Sequence, residues 1–238
     1  MQDLILPHRI TSYECGADKK MKPECFQHFC QEMAEEHASS HGFGYDWVLT
    51  NKTAWVQVMG NYEILRRPDW KETIYLRTNT GMATALQPGR FVEMTDAEGN
   101  VLARADMYWV IINLATRRPV PPKRVGLELS AACPVLGTPV QEPEWQVDAA
   151  AEASLVAGRR DVDFNDHINN SAYFIWALDT LPESLKPGSE IARYRIQFRH
   201  ESHGGDAMSI RHYVQGKFTR HLISCGEDVR AEIAIEWQ

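Results

Sequence analysis

The sequence predicts an α+β protein in which a helix wrapped by antiparallel strands occurs twice along the chain. Three observations support this prediction. Each half of the chain contains one helical pattern, each helix is followed by several strand-like runs with short turns, and a proline-rich stretch separates the two halves. Helices combined with many short antiparallel strands are typical of the α+β class. With 238 residues, the chain can form one large domain or two small ones.

The first half begins with an expected extended segment at residues 9–14 and a turn at residues 16–18. A helix is predicted at residues 24–38, directly after Pro23. Its apolar residues recur at spacings of three and four, which indicates one buried face. These residues are Phe26, Phe29, Cys30, Met33 and Ala34.

Runs rich in β-branched and aromatic residues follow this helix and predict strands. They lie at residues 54–59, 62–65, 72–80, 90–94 and 101–113. Residues 96–100, with Gly99 near the end, are typical of a hairpin turn between the last two strands. We therefore predict a mostly antiparallel sheet packed on the first helix.

The second half repeats this order after a stretch with clustered prolines. An extended segment at residues 153–158 leads through a polar turn to a helix that begins near Ser171, and residues 203–206 predict a further turn. Strands are expected at residues 190–200, 207–214, 221–224 and 229–237. The predicted division is residues 1–118, a linker at residues 119–145, and residues 146–238.

Bulk properties exclude several classes of function. The net charge of −7 gives no general attraction to nucleic acids, so no nucleic-acid partner is expected. No apolar run approaches the length of a membrane span, and the first 14 residues are too short and acidic for a signal or transit peptide. Five cysteines without a C-x-x-C pair favour free thiols in a reducing cytoplasm, with no metal site and no cofactor.

The most informative stretch is residues 159–182, RRDVDFNDHINNSAYFIWALDTLP. It begins with a dense polar cluster and then becomes apolar on every side, which is typical of a buried helix. Asn169, Asn170 or Ser171 can cap the start of this helix, and Pro182 marks its end. The stretch therefore places polar groups at the N-terminus of a buried helix, where free backbone N–H groups favour anions and oxyanions.

Spacing suggests how these polar groups come together. If the entry to the helix is extended, Asp163, Asn165 and His167 fall on one side, and Phe164 and Ile168 fall on the other. A carboxylate, an amide and an imidazole would then face one space.

Two simpler interpretations apply to the same residues. Asp161 or Asp166, taken singly, can be an ordinary cap or turn residue. The D-x-D-x-N spacing also opens a calcium-binding EF-hand loop, but Asp166 occupies the position that needs Gly and Ala172 the position that needs Glu. A calcium site is therefore not expected.

The segment DVDFNDHINNSAYFIWALD resembles the D-x-D-x-N-x-H-x-N-N-x-x-Y stretch of the acyl-acyl-carrier-protein thioesterases of plants and bacteria. The resemblance extends from about Arg9 to the end of the chain. It includes residues 10–38, 68–80, 104–122 and 194–202. It implies a tandem (double) hotdog fold, each half a long central helix wrapped by an antiparallel sheet. It also implies release of fatty acid from acyl carrier protein in fatty acid biosynthesis, with the N-terminal half binding the acyl chain.

The resemblance assigns catalytic roles to four residues, Asp163, Asn165, His167 and Glu201. Ser202 stands where the family commonly has Cys, which puts a thiol nucleophile in doubt and favours attack by water. Ser202, Asn169 and Asn170 are secondary candidates. The corresponding entry to the first helix, residues 16–23, contains no Asn and no His, so one active site per chain is expected.

Acyl carrier proteins are typically acidic, so an acidic chain must bind one through a local basic patch. Five arginines lie beside the two motif segments and are candidates for this patch. They are Arg159, Arg160, Arg193, Arg195 and Arg199. Exposed edges of an antiparallel sheet can also pair two chains into a homodimer.

Other functions stay open at this point. Acyl-CoA is an alternative thioester substrate, and hotdog hydratases and dehydratases also act on acyl thioesters. The dehydratases usually carry an H-x-x-x-F-P-x-x-P motif, and the sequence contains no His-Phe-Pro run of this kind. A non-catalytic acyl-binding module would not require the four predicted catalytic residues. The sequence leaves undecided the acyl chain length and saturation, and which of Asp163, His167 and Glu201 is the general base.

Overall fold

The computed structural model describes residues 2–84, 86–129 and 133–238. The chain divides into two compact units, Met1–Gly137 and Thr138–Gln238. Each unit contains a helix packed on antiparallel strands, so the predicted α+β class and the repeated helix-and-sheet architecture are confirmed.

The first unit contains five strands in the order β1-β3-β4-β5-β2, and each neighbouring pair is antiparallel. Its elements are β1 Leu4–Arg9, α1 Pro23–Ser40, α2 Tyr45–Asn51, β2 Thr53–Ile64, β3 Thr73–Met82, β4 Pro88–Thr95 and β5 Val101–Asn113. The predicted hairpin turn at residues 96–100 connects β4 to β5, where the Asp96 carboxylate accepts the N–H groups of Glu98 and Asn100.

The second unit contains five strands in the order β7-β10-β9-β8-β6, again antiparallel throughout. Its elements are β6 Ala151–Val156, α3 Asn170–Thr180, β7 Ile191–Phe198, β8 Ala207–Gln215, β9 Phe218–Cys225 and β10 Asp228–Trp237. The predicted strands are confirmed with small shifts of their ends, and β9 is longer than expected at both ends. The predicted turn at residues 203–206 is also confirmed, and the N–H group of His203 donates to the Asp206 carboxylate.

Helix α1 begins at Pro23, whose fixed backbone angle suits the first helical position. The predicted apolar face is buried against β3 and β4, with Phe26 and Met33 packed in the same core as Ile74 and Val92. Burial of such side chains contributes roughly 1.5–3 kcal/mol each to the free energy of unfolding.

Helix α3 is buried as its uniformly apolar sequence predicts. The side chain of Asn169 caps it, because its Oδ1 atom accepts the backbone N–H group of Ser171 at 2.9 Å. The helix ends at Thr180, two residues before Pro182. The ring of Phe174 stacks on that of Tyr194 from β7, with 4.1 Å between centroids, which fixes the helix on its sheet.

The extended segment predicted at residues 9–14 is wrong. The strand lies earlier, at Leu4–Arg9, and pairs with β3. The β-branched Ile10 and Thr11 are typical of strands. However, the Glu14 carboxylate accepts the backbone N–H group of Thr11 at 2.7 Å and closes a turn at this point.

The prediction of two strands at residues 54–59 and 62–65 is also wrong, because β2 is a single strand through Gly60. Glycine inside a strand can mark close packing instead of a turn. A Cβ atom at Gly60 would lie 2.6 Å from the ring of Tyr62. Gly60 therefore makes room for the buried Tyr62 side chain, whose hydroxyl accepts a hydrogen bond from Gln57.

Helix α2 was not predicted. It has seven residues, none of them buried, and no side-chain cap at its start. It lacks the periodic apolar face by which a helix is recognised in a sequence. A carboxylate from α1 holds its first residue instead, because Glu35 accepts the N–H group of Tyr45 at 3.1 Å.

The predicted linker at residues 119–145 includes a short 3-10 helix at Pro122–Val125, and the side chains of Pro122, Leu127 and Val140 are buried. The carboxylate of Asp106 on β5 accepts the N–H groups of Leu136 and Gly137, each at 2.9 Å. Residues 136–137 are thus fastened to the first unit. The exact domain boundaries remain a prediction. In the described part of the chain, no helix is long and apolar enough to cross a membrane.

A pair of buried histidines lies beneath the last turn of α3. The Nδ1 atoms of His212 and His221 are 2.7 Å apart, so one ring donates to the other, and His212 also contacts the hydroxyl of Thr180. Burial lowers the pKa of His212, and burial together with the neighbouring ring lowers the pKa of His221 to about 3. Both rings are therefore neutral in the folded protein near neutral pH.

This pair predicts a loss of stability in acid. An unfolded histidine has a pKa of about 6.5. Below that pH these histidines bind protons in the unfolded chain but stay neutral in the folded chain. The free energy of unfolding therefore falls as pH drops from about 6.5 towards 3. Each imidazole adds at most about 1.4 kcal/mol per pH unit. Urea unfolding between pH 7.5 and 5 should show a smaller pH slope for His221→Gln than for the parent. Replacement of the exposed His200 serves as the control, and an equal slope in the parent and His221→Gln would contradict the prediction.

Candidate active site

The second unit enters helix α3 through a tight turn, so the predicted extended entry is wrong. The N–H group of Asp163 donates to the carbonyl of His167 at 2.8 Å, and Val162 bridges Ile168. Asp166 adopts the left-handed conformation with φ of 62°, which aspartate tolerates better than most residues. As a result, Phe164 is 73% exposed at the tip whereas Ile168 is buried.

The carboxylate of Asp163 holds this turn. Its Oδ1 atom accepts the backbone N–H groups of Asn165 at 2.8 Å and of His167 at 3.4 Å. Asp163 therefore contacts the main chain of His167 and fixes the direction in which that residue leaves the turn.

The structure brings together two of the predicted catalytic side chains, His167 and Glu201. The Nε2 atom of His167 lies 3.6 Å from the Oε2 atom of Glu201, and the two side chains are 38% and 42% exposed. Both groups are thus reachable by water and by a substrate.

The segment that carries Glu201 is fastened to the turn by its main chain. The N–H group of Ile168 donates to the carbonyl of Ser202 at 2.8 Å. The Ser202 side chain is buried beside Tyr173, and burial raises the pKa of the Tyr173 hydroxyl. The side chain of Ser202 therefore points into the core, whereas the side chain of Glu201 is exposed to solvent.

The three asparagines occupy different places. The Asn165 carboxamide is exposed at the tip of the turn, and among the described residues it forms no hydrogen bond with Asp163, His167 or Glu201. Asn169 caps α3, and Asn170 is its first residue. Since Ser171 and Ala172 already donate their N–H groups to Asn169, part of the helix start is not available to an oxyanion.

The five arginines fall into two groups. Three lie on β7 or directly after it and contact glutamates of the same unit. These pairs are Arg193 with Glu236, Arg195 with Glu142, and Arg199 with Glu232. Arg159 and Arg160 are exposed on a short 3-10 helix that directly precedes the turn.

The first unit contains the same turn with different side chains. The N–H group of Gly16 donates to the carbonyl of Lys20, as that of Asp163 does to His167. Cys15 forms a β-bridge with Met21, and Lys19 has the left-handed conformation with φ of 63°. The N–H group of Met21 donates to Pro68 at 2.8 Å, as Ile168 does to Ser202.

These matching bonds show that Lys20 occupies the backbone position equivalent to His167, and Arg67 the position equivalent to Glu201. In the first unit, Arg67 forms an ion pair with Asp18. The predicted difference between the two helix entries is therefore visible on one shared backbone turn.

Two residues that the sequence interpretation missed contact the site. The ring of His203 lies 5.0 Å from that of His167 and bonds the carbonyl of Asp166. The guanidinium of Arg230 on β10 donates to the carbonyl of Glu201 at 3.1 Å. The sequence assigned His203 only to the turn at residues 203–206 and Arg230 only to a strand, and the folded chain brings both to the turn before α3.

Two family models match the chain. Residues 7–128 match the Acyl-ACP thioesterase N-terminal domain, and residues 146–238 match the Acyl-ACP thioesterase C-terminal domain.

Curated plant proteins are similar over most of the chain. Oleoyl-acyl carrier protein thioesterase 1, chloroplastic, of Arabidopsis thaliana is 26% identical over 84% of this chain and 60% of its own length. Dodecanoyl-[acyl-carrier-protein] hydrolase, chloroplastic, of Cinnamomum camphora is 28% identical over 81% of this chain and 54% of its own length. The chain thus spans less than two thirds of the length of these curated relatives.

Solved structures show the same fold. A putative oleoyl thioesterase from Lactobacillus plantarum has a TM-score of 0.86 at 22% identity, covering 100% of this chain and 96% of that one. The 12:0-ACP thioesterase from Umbellularia californica has a TM-score of 0.85 at 22% identity, covering 99% and 97%. With both domain models matched over most of its length, the chain belongs to the acyl-ACP thioesterase family.

Proposed function

We propose that this protein hydrolyses fatty acyl thioesters of acyl carrier protein and releases free fatty acid for fatty acid biosynthesis. The observation that carries the proposal is the exposed His167–Glu201 pair, whose side chains lie 3.6 Å apart and to which the sequence resemblance assigns catalytic roles. The similar plant proteins are named as acyl carrier protein thioesterases and hydrolases, which supports the same reaction.

In the proposed mechanism, the His167–Glu201 pair accepts a proton from a water molecule as that water attacks the thioester carbonyl. The tetrahedral intermediate then collapses, the carbon–sulfur bond breaks, and the thiolate of the carrier's prosthetic arm receives the proton. The products are a fatty acid and a free thiol. An imidazole suits this task because its unperturbed pKa is close to neutral pH.

Asp163 and Asn165 act beside this pair. Asp163 fixes the turn through its bonds to the N–H groups of Asn165 and His167. The exposed carboxamide of Asn165 can donate to the oxyanion or hold the attacking water. Loss of one oxyanion donor typically raises a reaction barrier by about 3–4 kcal/mol.

A covalent route through Ser202 has less support from the geometry. The Ser202 side chain is buried, whereas a nucleophile needs access to the carbonyl and a base within hydrogen-bonding reach. Direct attack by water requires neither Ser202 nor a cysteine.

The proposed partner is an acidic acyl carrier protein, and Arg159 and Arg160 are the preferred docking residues. They are exposed beside the turn, whereas Arg193 and Arg195 are partly buried and paired with glutamates. A reducing cytoplasm is the proposed compartment, and the five free cysteines support it. A homodimer that forms through exposed sheet edges stays a prediction.

The first unit is the proposed acyl-binding half. It contains a cavity of about 260 Å³ with Met82, Met107 and Val135 among its lining residues. Arg90 and Asp106 also line it. Apolar side chains in such a cavity can limit the length of the bound acyl chain.

Replacement of the catalytic pair should abolish most hydrolysis without unfolding the protein. His167→Ala and Glu201→Ala are each expected to lower kcat by a factor of roughly 10²–10⁴, because the proton acceptor is lost. Asp163→Ala should also lower kcat, because the turn loses its bonded carboxylate. Release of free thiol from acyl-ACP measures the rate. Lys20→Ala, at the equivalent position of the first unit, is the matched control. Near-parental turnover in folded His167→Ala would remove this mechanism.

Docking through Arg159 and Arg160 predicts a substrate-dependent effect of charge. The double variant Arg159→Gln, Arg160→Gln should lower kcat/KM for acyl-ACP and leave that for acyl-CoA nearly unchanged. Hydrolysis of acyl-ACP by the parent should weaken with salt more than hydrolysis of acyl-CoA. Arg211→Gln, an exposed arginine on β8, serves as the control. Equal effects on both substrates would contradict docking at these residues.

The acyl-binding role of the first unit predicts a change of product length. Met107→Ala should enlarge the cavity and shift the products towards longer chains, since each buried methylene contributes about 0.8 kcal/mol. Gas chromatography of fatty acids released from acyl-ACPs of graded length measures the profile. Met208→Ala, a buried methionine of the second unit, is the matched control. If both folded variants keep the parental profile, the length preference is set elsewhere.

A further inference from the structure

A β-bulge places Arg230 at the active site. The register between β10 and β9 shifts between Val229 and Ala231, so Arg230 has no partner residue on β9. Its carbonyl accepts the N–H groups of Arg199 at 2.8 Å and His200 at 3.4 Å. Bulges redirect side chains and occur frequently next to active sites.

The first unit has the same bulge at the equivalent point. The register between β4 and β5 shifts so that Leu102 has no partner residue on β4. Its carbonyl accepts the N–H groups of Leu65 at 2.9 Å and Arg66 at 3.1 Å. Leu102 is only 1% exposed. The same bulged backbone therefore forms with a leucine at this position, so the backbone conformation does not require an arginine.

The arginine of the second unit makes one contact that a leucine cannot make. Its Nη1 atom donates to the carbonyl of Glu201 at 3.1 Å. Its Nε atom is buried and has no hydrogen-bond partner in the described ranges. Burying an unpaired donor lowers stability, so the arginine is an unfavourable choice for packing alone.

We propose that Arg230 is a positioning residue that holds the main chain at Glu201, so that the Glu201 carboxylate stays within reach of His167. This inference rests on the proposed function of the His167–Glu201 pair. Arg230 acts through Glu201 and does not itself touch the substrate. The second unit thus differs from the first unit in its side chains at the bulge as well as at the turn.

The test uses Arg230→Leu, which introduces the residue that occupies the same bulge in the first unit and is therefore compatible with the backbone. We expect kcat for acyl-ACP to fall roughly tenfold or more with KM nearly unchanged, as for a loss of transition-state stabilisation. Arg230→Lys should recover part of the rate. Arg220→Leu is the matched control, because Arg220 also has a buried, unpartnered Nε atom but pairs with Glu232 on β10. It should leave kcat unchanged.

A double-mutant cycle separates positioning from a general structural role. In a Glu201→Ala background, Arg230→Leu should cause no further loss of kcat, because the group that it positions is absent. Independent, additive losses would overturn the proposal. A parental kcat in Arg230→Leu would also overturn it.

Hydrogen–deuterium exchange provides a readout that does not depend on activity. Arg230→Leu should speed exchange at residues 199–203 and at the Ile168 amide, which bonds to Ser202, while the melting temperature stays within a few degrees of the parent. Unchanged exchange would overturn the positioning role. If the parent hydrolyses no acyl thioester, the proposed function fails, and the exchange data still decide whether Arg230 holds the Glu201 segment.

Discussion

One main-chain hydrogen bond, from Ile168 N–H to the Ser202 carbonyl, organises the site. It joins the turn before α3 to the segment after β7. His167 and Glu201 each stand one residue before the bonded pair, so the bond brings their side chains within 3.6 Å although they are 34 positions apart. Because the constraint lies in the backbone, it does not depend on the side chain of His167 or of Glu201. Substitution of His167 or Glu201 is therefore expected to leave this backbone connection intact.

The first unit shows that this backbone arrangement belongs to the fold and not to the chemistry. It repeats the turn, the bond between Met21 and Pro68, and the bulge at Leu102. Its side chains form the Asp18–Arg67 ion pair in place of the predicted catalytic residues. The duplicated scaffold thus provides two equivalent positions, and the predicted catalytic residues stand at the position in the second unit.

Features with local causes could be predicted from the sequence. Helix α3 followed from its apolar run, Asn169 and Pro182, and the hairpin turn before β5 followed from its own residues. Features set by distant contacts could not. Gly60 packs under Tyr62 without ending its strand, and Arg230 reaches Glu201 only through a bulge. The candidate site lies between these cases. The sequence indicated which residues form the candidate site, but it did not predict the left-handed conformation of Asp166 that turns the chain.

Solvent exposure separates two histidines that the same unit places in different environments. His221 is sealed in the core, where burial lowers its pKa to about 3, so it cannot take a proton from water near neutral pH. His167 stands at the surface, where water and a thioester can reach it. A thioester is an activated substrate with a good leaving group, so its hydrolysis does not require a deeply buried catalytic base. In the proposed reaction, the exposed His167–Glu201 pair would meet this chemical need, whereas the buried His212–His221 pair contributes to the packing beneath α3.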